Sequence, residues 1–190
     1  MLVEAELILR PMIENDLEDV LRWRNSSNVR QNSLDDHVIT WDEHKEWYTL
    51  SNADVTCEWL IAEYCNWPAG VIGITQMDLN NGTCTWSMYL SSDRPVPGLG
   101  AFLELKAIDR MFDVHGVRKI WGETLASNSG MISMHRKFGF SEEGVLRRQI
   151  RRENNYGDIV LTSMFAEDWP SNRKRVTASL GTSHPARVGQ

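Results

Sequence analysis

Glu123 and His135 are the two side chains whose types and placing best suit proton chemistry in this 190-residue chain. Glu123 lies in Lys119-Ile120-Trp121-Gly122-Glu123-Thr124-Leu125, which reads as a strand. His135 lies in Gly130-Met131-Ile132-Ser133-Met134-His135-Arg136-Lys137-Phe138, which reads as a short helix that Gly139 stops in a left-handed cap. Asn128 stands at its entrance, and Met131, Met134 and Phe138 share one face. An imidazole with its ordinary pKa of about 6.5 is partly protonated at neutral pH, which makes His135 a candidate proton donor. Taken alone, a solvent-facing His on an amphipathic helix has the same signature.

A second signal is Pro97-Gly98-Leu99-Gly100-Ala101, which opens a helix after a strand. Glycines let backbone approach a ligand, and the free amides of a helix start favour a phosphate. A lone Gly-x-Gly also makes an ordinary turn. It lacks the third glycine and the distal acidic residue of a dinucleotide fold, and no Gly-Lys-Ser/Thr follows as in a Walker loop.

The elements that must position these residues follow from pattern. Leu2 to Arg10 suits a first strand ending at Pro11. Capping boxes at Asn15–Glu18 and Thr40–Glu43 open two helices, the second through about Leu50, with an aperiodic stretch from Ser26 to Ile39 between them. Cys57–Tyr64, Val71–Asp78 and Thr83–Leu90 read as strands, with turns at Trp67–Gly70 and Asn80–Gly82. Phe102, Leu103, Leu105, Ala107, Ile108, Met111 and Phe112 mark an amphipathic helix. Two strands close the domain, Val145–Arg152 and Tyr156–Phe165, with a turn at Asn154-Asn155. The expected fold class is α/β (α+β): a mixed, mostly antiparallel sheet of about seven strands with helices on both faces. Residues 1–169 are read as one domain, and 170–190, with Arg173-Lys174-Arg175, as a flexible basic tail.

Composition excludes other classes. At 42% hydrophobic and 24% charged residues, the chain suits a soluble globular protein. No apolar run is long enough to span a bilayer, and the N-terminus does not read as a secretory signal. The net charge of -6 argues against nucleic-acid binding. Three cysteines without metal-ligand spacing (Cys57, Cys65, Cys84) suggest reduced thiols in a cytoplasmic protein, and no metal is expected. None has a His at motif spacing, so no Cys nucleophile is expected. Assembly as a monomer or homodimer is expected.

In combination, the strand, the Gly-x-Gly helix start, the strand ending near Asn128 and the helix closing on Lys137-Phe138-Gly139-Phe140 resemble the GNAT N-acetyltransferases, from about Leu7 to Trp169. The resemblance implies acetyl-CoA as donor, bound where Thr83–Leu90 and Lys119–Leu125 splay apart. It implies the amides of Gly98, Leu99, Gly100 and Ala101 on the pyrophosphate, the main chain of Met88, Tyr89 and Leu90 along the pantetheine arm, and a coenzyme contact from Asn128. It places His135 where the family has a tyrosine acid, Glu123 where a carboxylate relays the amine proton, and Thr75 where a hydroxyl lies beside the amine. The sequence departs from the family at Pro95, where Arg or Gln is usual, and at Gly73, where a hydroxyl is usual.

Leu21-Arg22-Trp23-Arg24-Asn25, Val29-Arg30 and His37 to Trp47 look like the branch that acts on nucleotide sugars. That branch acetylates the 4-amino group of a UDP-linked amino-dideoxy sugar on the route to pseudaminic acid, a sugar of flagellin glycosylation. The likeness implies Arg24, Arg30 and His37 at the diphosphate and Trp47 against the nucleotide or sugar. Two other readings stay open at this point: a ribosomal-protein-type N-terminal acetyltransferase, and an acyl-CoA-binding module without turnover.

Overall fold

The computed structural model describes residues 4–152 and 155–181. The chain runs β1 (Leu7–Pro11), α1 (Leu17–Arg24), α2 (Ser27–Asn32), α3 (Trp41–Ala53), β2 (Glu58–Tyr64), β3 (Trp67–Asp78), β4 (Thr83–Leu90), α4 (Leu99–Asp109), β5 (Lys119–Leu125), α5 (Ser129–Phe138), β6 (Ser141–Arg152), β7 (Asn155–Phe165) and α6 (Trp169–Ser179). The seven strands form one sheet in the order β1-β2-β3-β4-β5-β7-β6. Every pairing is antiparallel except β4 with β5.

Alternation along the central strands supplies both faces of the sheet. On β2, Leu60 and Ala62 enter one core with Phe102, Leu103 and Ile108 of α4, while Ile61 enters the other with Val20 and Trp23 of α1. Among the described residues no helix is long and apolar enough to cross a membrane.

Local chemistry fixes the boundaries. Thr40 caps α3 by accepting from the Glu43 amide, and the Glu43 carboxylate returns to the Thr40 amide at 2.7 Å, the expected capping box. The box expected at Asn15–Glu18 does not form. Asp16 instead takes the Ile13 amide at 2.8 Å and the Arg10 guanidinium at 2.7 Å. The turn expected at Trp67–Gly70 lies two residues earlier, at Cys65 and Asn66, whose φ angles of 51° and 64° suit a two-residue hairpin turn. The turn expected at Asn154-Asn155 lies partly outside the described residues, and Asn155 itself opens β7.

The largest correction concerns the tail. Residues 169–179 form α6, which is packed and ion-paired rather than flexible. Trp169 and Val176 are buried, Trp169 Nε1 donates to Asp109 at 2.8 Å, and Arg173 bridges Asp109 and Glu4. Basic residues alternating with small polar ones hid a helix whose apolar anchors are only two. The remainder of the expected tail, 182–190, lies outside the described residues.

Candidate active site at the parting of two strands

β4 and β5 pair only through Thr83–Lys119, Cys84–Ile120 and Thr85–Trp121. Beyond Thr85, β4 stays paired with β3 as far as Leu90, and β5 stays paired with β7 as far as Leu125. The two strands therefore part, each leaving one edge of backbone N–H and C=O groups without a ladder partner. A cavity of about 1110 Å³ fills the gap and runs on beneath α1, α2 and α3.

At the donor end, Met88, Tyr89 and Leu90 line the cavity on the free edge of β4, with Leu99, Gly100 and Asn128 beside them. Gly98 caps α4 at φ +87°, a conformation that favours glycine. The four amides expected on a phosphate are not equivalent. Those of Leu99 and Ala101 turn back onto the Val96 and Gly98 carbonyls at 3.1 Å, and neither Gly98 nor Ala101 lines the cavity. Gly100 does, and its missing side chain leaves room that a Cβ would narrow, 3.6 Å from Leu90. The Asn128 side-chain oxygen caps α5 by accepting from the Met131 amide at 3.2 Å, a use the sequence reading did not give it. Arg94, beside the Pro95 departure, lines the cavity and lies over the Trp67 ring at 5.6 Å. The free edge, the left-handed cap and the cavity's size fit an acyl-CoA.

At the centre, Thr75, Glu123 and His135 all line the same cavity. Thr75 precedes a bulge in β3, where the register shifts before Asp78 and Gln76 takes φ 51°. Bulges of this kind re-aim side chains next to active sites. Glu123 is exposed on β5.

His135 is not the partly protonated imidazole expected from its ordinary pKa. It is buried against Trp86 and Phe140, and burial lowers its pKa to about 4. Its Nδ1 lies 3.4 Å from Thr162 Oγ1. The ring is neutral at neutral pH. The three cysteines are free and none lines the cavity; burial pushes the Cys84 thiol up to about 12. Attack by the amine without an acyl-enzyme suits this arrangement.

At the acceptor end, Arg24 and Trp47 line the cavity, whereas Arg30 and His37 do not. Arg30 Nε donates to the Asp36 carbonyl at 2.9 Å, and His37 is exposed with Nδ1 2.8 Å from Asp35 Oδ1. Both stitch the loop between α2 and α3, and these contacts keep them off the cavity wall where they were expected. Asn25 bonds both the amide and the carbonyl of Ile39 in the same loop.

Three residues missed by sequence reading complete this end: Ser26, His44 and Trp59. The His44 ring stacks on Trp47 at 5.0 Å, and Trp47 meets Trp59 edge-on at 4.7 Å. Burial lowers the His44 pKa, opposed by a hydrogen bond to the Leu17 backbone. Arg24 Nη1, Ser26 Oγ, His44 Nε2 and Trp59 Nε1 are buried polar atoms without a hydrogen-bond partner. Trp59 also explains Gly73. The two are directly paired, and a Cβ at Gly73 would stand 2.4 Å from the Trp59 ring, so the family's hydroxyl has no room there.

The sequence pattern of the family described as an acetyltransferase (GNAT) domain matches residues 6–141. The chain belongs to the GNAT acetyltransferase family. Spermidine N(1)-acetyltransferase of Escherichia coli strain K12 is 21% identical over 166 residues, covering 87% of this chain and 89% of that protein. Its Vibrio cholerae counterpart is 19% identical over 158 residues, covering 83% and 91%. A crystal structure of spermidine N-acetyltransferase from Vibrio cholerae, in complex with CoA and spermine, shares the fold at TM-score 0.82 and 17% identity, covering 87% and 99%. This GNAT protein is accordingly an N-acetyltransferase acting on an amine with acetyl-CoA as co-substrate, which sets aside the module without turnover. These relatives are spermidine enzymes and lend no support to the pseudaminic-acid branch or to flagellin glycosylation.

Proposed function

We propose that this enzyme acetylates an amine carried by an anionic, nucleotide-linked sugar, with the 4-amino group of a UDP-linked amino-dideoxy sugar as the instance the sequence suggests. The observation carrying this reading is the half-buried Arg24 guanidinium: its Nη2 donates to the Asp35 carbonyl at 2.8 Å, while its Nη1 is buried beside the cavity without a partner. A buried N–H left unpaired is costly unless a ligand takes it, and a guanidinium suits a phosphate. Trp59 Nε1, Ser26 Oγ and His44 Nε2 add one donor, one hydroxyl and a ring nitrogen suited to sugar or base groups.

In this reading the amine, freed of its proton toward Glu123 and water beside Thr75, attacks the thioester carbonyl. A backbone amide on the free edge of β4 polarises that carbonyl, and the coenzyme leaves as a thiol. Met88 to Leu90 and the start of α4 hold the coenzyme, and Trp47 walls the acceptor.

A second reading, a polyamine acceptor, is favoured by the relatives' names. A polycation is best held by carboxylates, and among the described residues Asp35 and Glu123 supply them to the cavity walls, Asp35 already bonding His37. Arg24→Ala decides between the readings. With the nucleotide sugar it should raise the acceptor KM roughly 10- to 100-fold, the worth of a hydrogen bond to a charged group, while leaving acetyl-CoA binding unchanged. A polyamine acceptor would instead bind more tightly once the charge is gone, and that result sinks the nucleotide-sugar reading.

A further inference from the structure

Thr85 and Trp121 are the last residues to pair across β4 and β5, so the first to face one another across the gap are Trp86 and Gly122. One carries the largest side chain and the other none. The indole takes up that difference: a Cβ at Gly122 would lie 3.8 Å from Trp86 Nε1, so the N–H edge of the ring reaches toward β5 under the gap. Trp86 belongs to the core on the α4 side of the sheet, with Ile74 and Ile120. Alternation from those two residues turns Thr75 and Glu123 to the opposite face. The point of parting is flanked by a hydroxyl and a carboxylate on one face and by an indole N–H on the other.

Trp86 lines the cavity at 9% exposure, and its Nε1 is buried without a hydrogen-bond partner. A buried N–H left unpaired is costly, and a phenylalanine would build the same wall without that cost. Its titratable neighbours on this face are neutral at neutral pH. His135 tilts against the indole at 5.7 Å between ring centroids, and burial lowers its pKa to about 4. Glu104 on α4, at 0% exposure, has Oε1 3.9 Å from His135 Nε2; it does not line the cavity, and burial raises its pKa well above the carboxylate range. A neutral imidazole gives up an N–H only as an imidazolate. A sulfur departing here meets a hydrogen-bond donor, not a strong acid.

We infer that Trp86 is a catalytic residue whose indole N–H donates a hydrogen bond to the coenzyme sulfur as the C–S bond breaks. The run of β4 supports the placing. The start of α4 meets β4 at Leu90, and from there back to Trp86 the strand spans about 13 Å. A coenzyme laid along that edge, phosphates at α4, brings its thioester end to the first unpaired rung, where Thr75 faces Thr85. The amine nitrogen forms the new C–N bond, and the C–S electron pair goes to sulfur. The thiolate is held by the Trp86 N–H, which keeps its proton because a thiol of pKa about 8.5 is a far stronger acid than an indole. The attacking nitrogen sheds its proton toward Glu123 and water, and the thiolate takes one from solvent as it is released. None of these steps depends on which amine is acetylated.

The test uses the full chain, Trp86→Phe, and the product CoA as probe, with no acceptor present. Phenylalanine keeps an aromatic ring under the gap and removes the N–H. Ultraviolet titration of the bound thiol should find thiolate formation roughly 10- to 100-fold less favourable in Trp86→Phe than in wild type, the worth of a hydrogen bond to a charged group. Binding of CoA below the thiol's ordinary pKa should be unchanged by calorimetry. In wild type, the Trp86 indole proton, identified by its contacts with the stacked Phe140 ring, should move downfield as the bound thiol ionises. That signal decides even where Trp86→Phe does not fold. With an acceptor that turns over, kcat should fall by the same factor. Equal thiolate formation in variant and wild type, or an indole signal that stays put, overturns the inference. If the acceptor reading fails, wild type is inactive with the nucleotide sugar, but the titration and the indole signal still decide.

Discussion

The two ends of the cavity are built from different materials. The donor end is backbone: a strand edge left open where β4 and β5 part, and the start of α4 behind a left-handed glycine. The acceptor end is side chain: Arg24, Ser26, His44, Trp47 and Trp59, drawn from α1, the link before α2, α3 and β2. Topology fixes the first, since a parallel pair of three rungs flanked by antiparallel neighbours must open. Packing fixes the second, through the Trp47–Trp59 contact and the His44 stack. A backbone site accepts one coenzyme whatever the surface sequence, whereas a side-chain site is free to change its acceptor while the fold stays.

That contrast is broken most sharply at Gly100. A Cβ there meets only Leu90, at an ordinary 3.6 Å, so Gly100→Ala should fold and melt like wild type. If the α4 start approaches the coenzyme closely, kcat/KM should fall roughly 100-fold through misplacement of the thioester. Unchanged kinetics would mean that the donor end does not depend on close backbone approach.

Gly73→Ser tests the opposite claim, that the acceptor end is governed by packing. The restored family hydroxyl must displace the Trp59 ring, at a cost of about 1–3 kcal/mol in thermal or denaturant unfolding. Adding Trp59→Ala should recover part of that loss in a double-mutant cycle, and strict additivity would contradict the clash.

The smallest expected effect belongs to Trp47→Leu. Losing its edge contact with Trp59 and its stack on His44 should cost about 0.5–1.5 kcal/mol and raise the acceptor KM, with the coenzyme KM unmoved. A change in coenzyme KM instead would mean that the two ends are coupled.

Legibility followed the same division. The Gly98-Leu99-Gly100 start of α4 and the Gly139 cap of α5 are local patterns and stand where the sequence put them; the expected strands are all present, but β3 and β6 each begin four residues earlier than expected. Side-chain partners were harder to read. Arg24, Arg30 and His37 all carry the right chemistry for a phosphate and all bond the loop between α2 and α3, but Arg24 alone of the three lines the cavity, with Nη1 left over, and no local pattern shows that. Trp59 sits in a strand, where a tryptophan is core by default, and nothing local shows that Gly73 opposite it leaves the space its indole occupies. Glu104 was hidden inside an amphipathic repeat, where one acidic residue looks like a solvated face. Helix α6 was missed because its two buried anchors, Trp169 and Val176, are seven residues apart in a polar stretch.

Under the proposed function the acceptor end selects an anionic sugar amine over a polycation. The most direct measurement is initial-rate thiol release from acetyl-CoA with a UDP-4-amino-4,6-dideoxy sugar and with spermidine, side by side at equal concentration and low salt. Release that depends on the nucleotide sugar, with spermidine near background, is the predicted result. Release with spermidine alone would contradict it and return the enzyme to the chemistry of its named relatives.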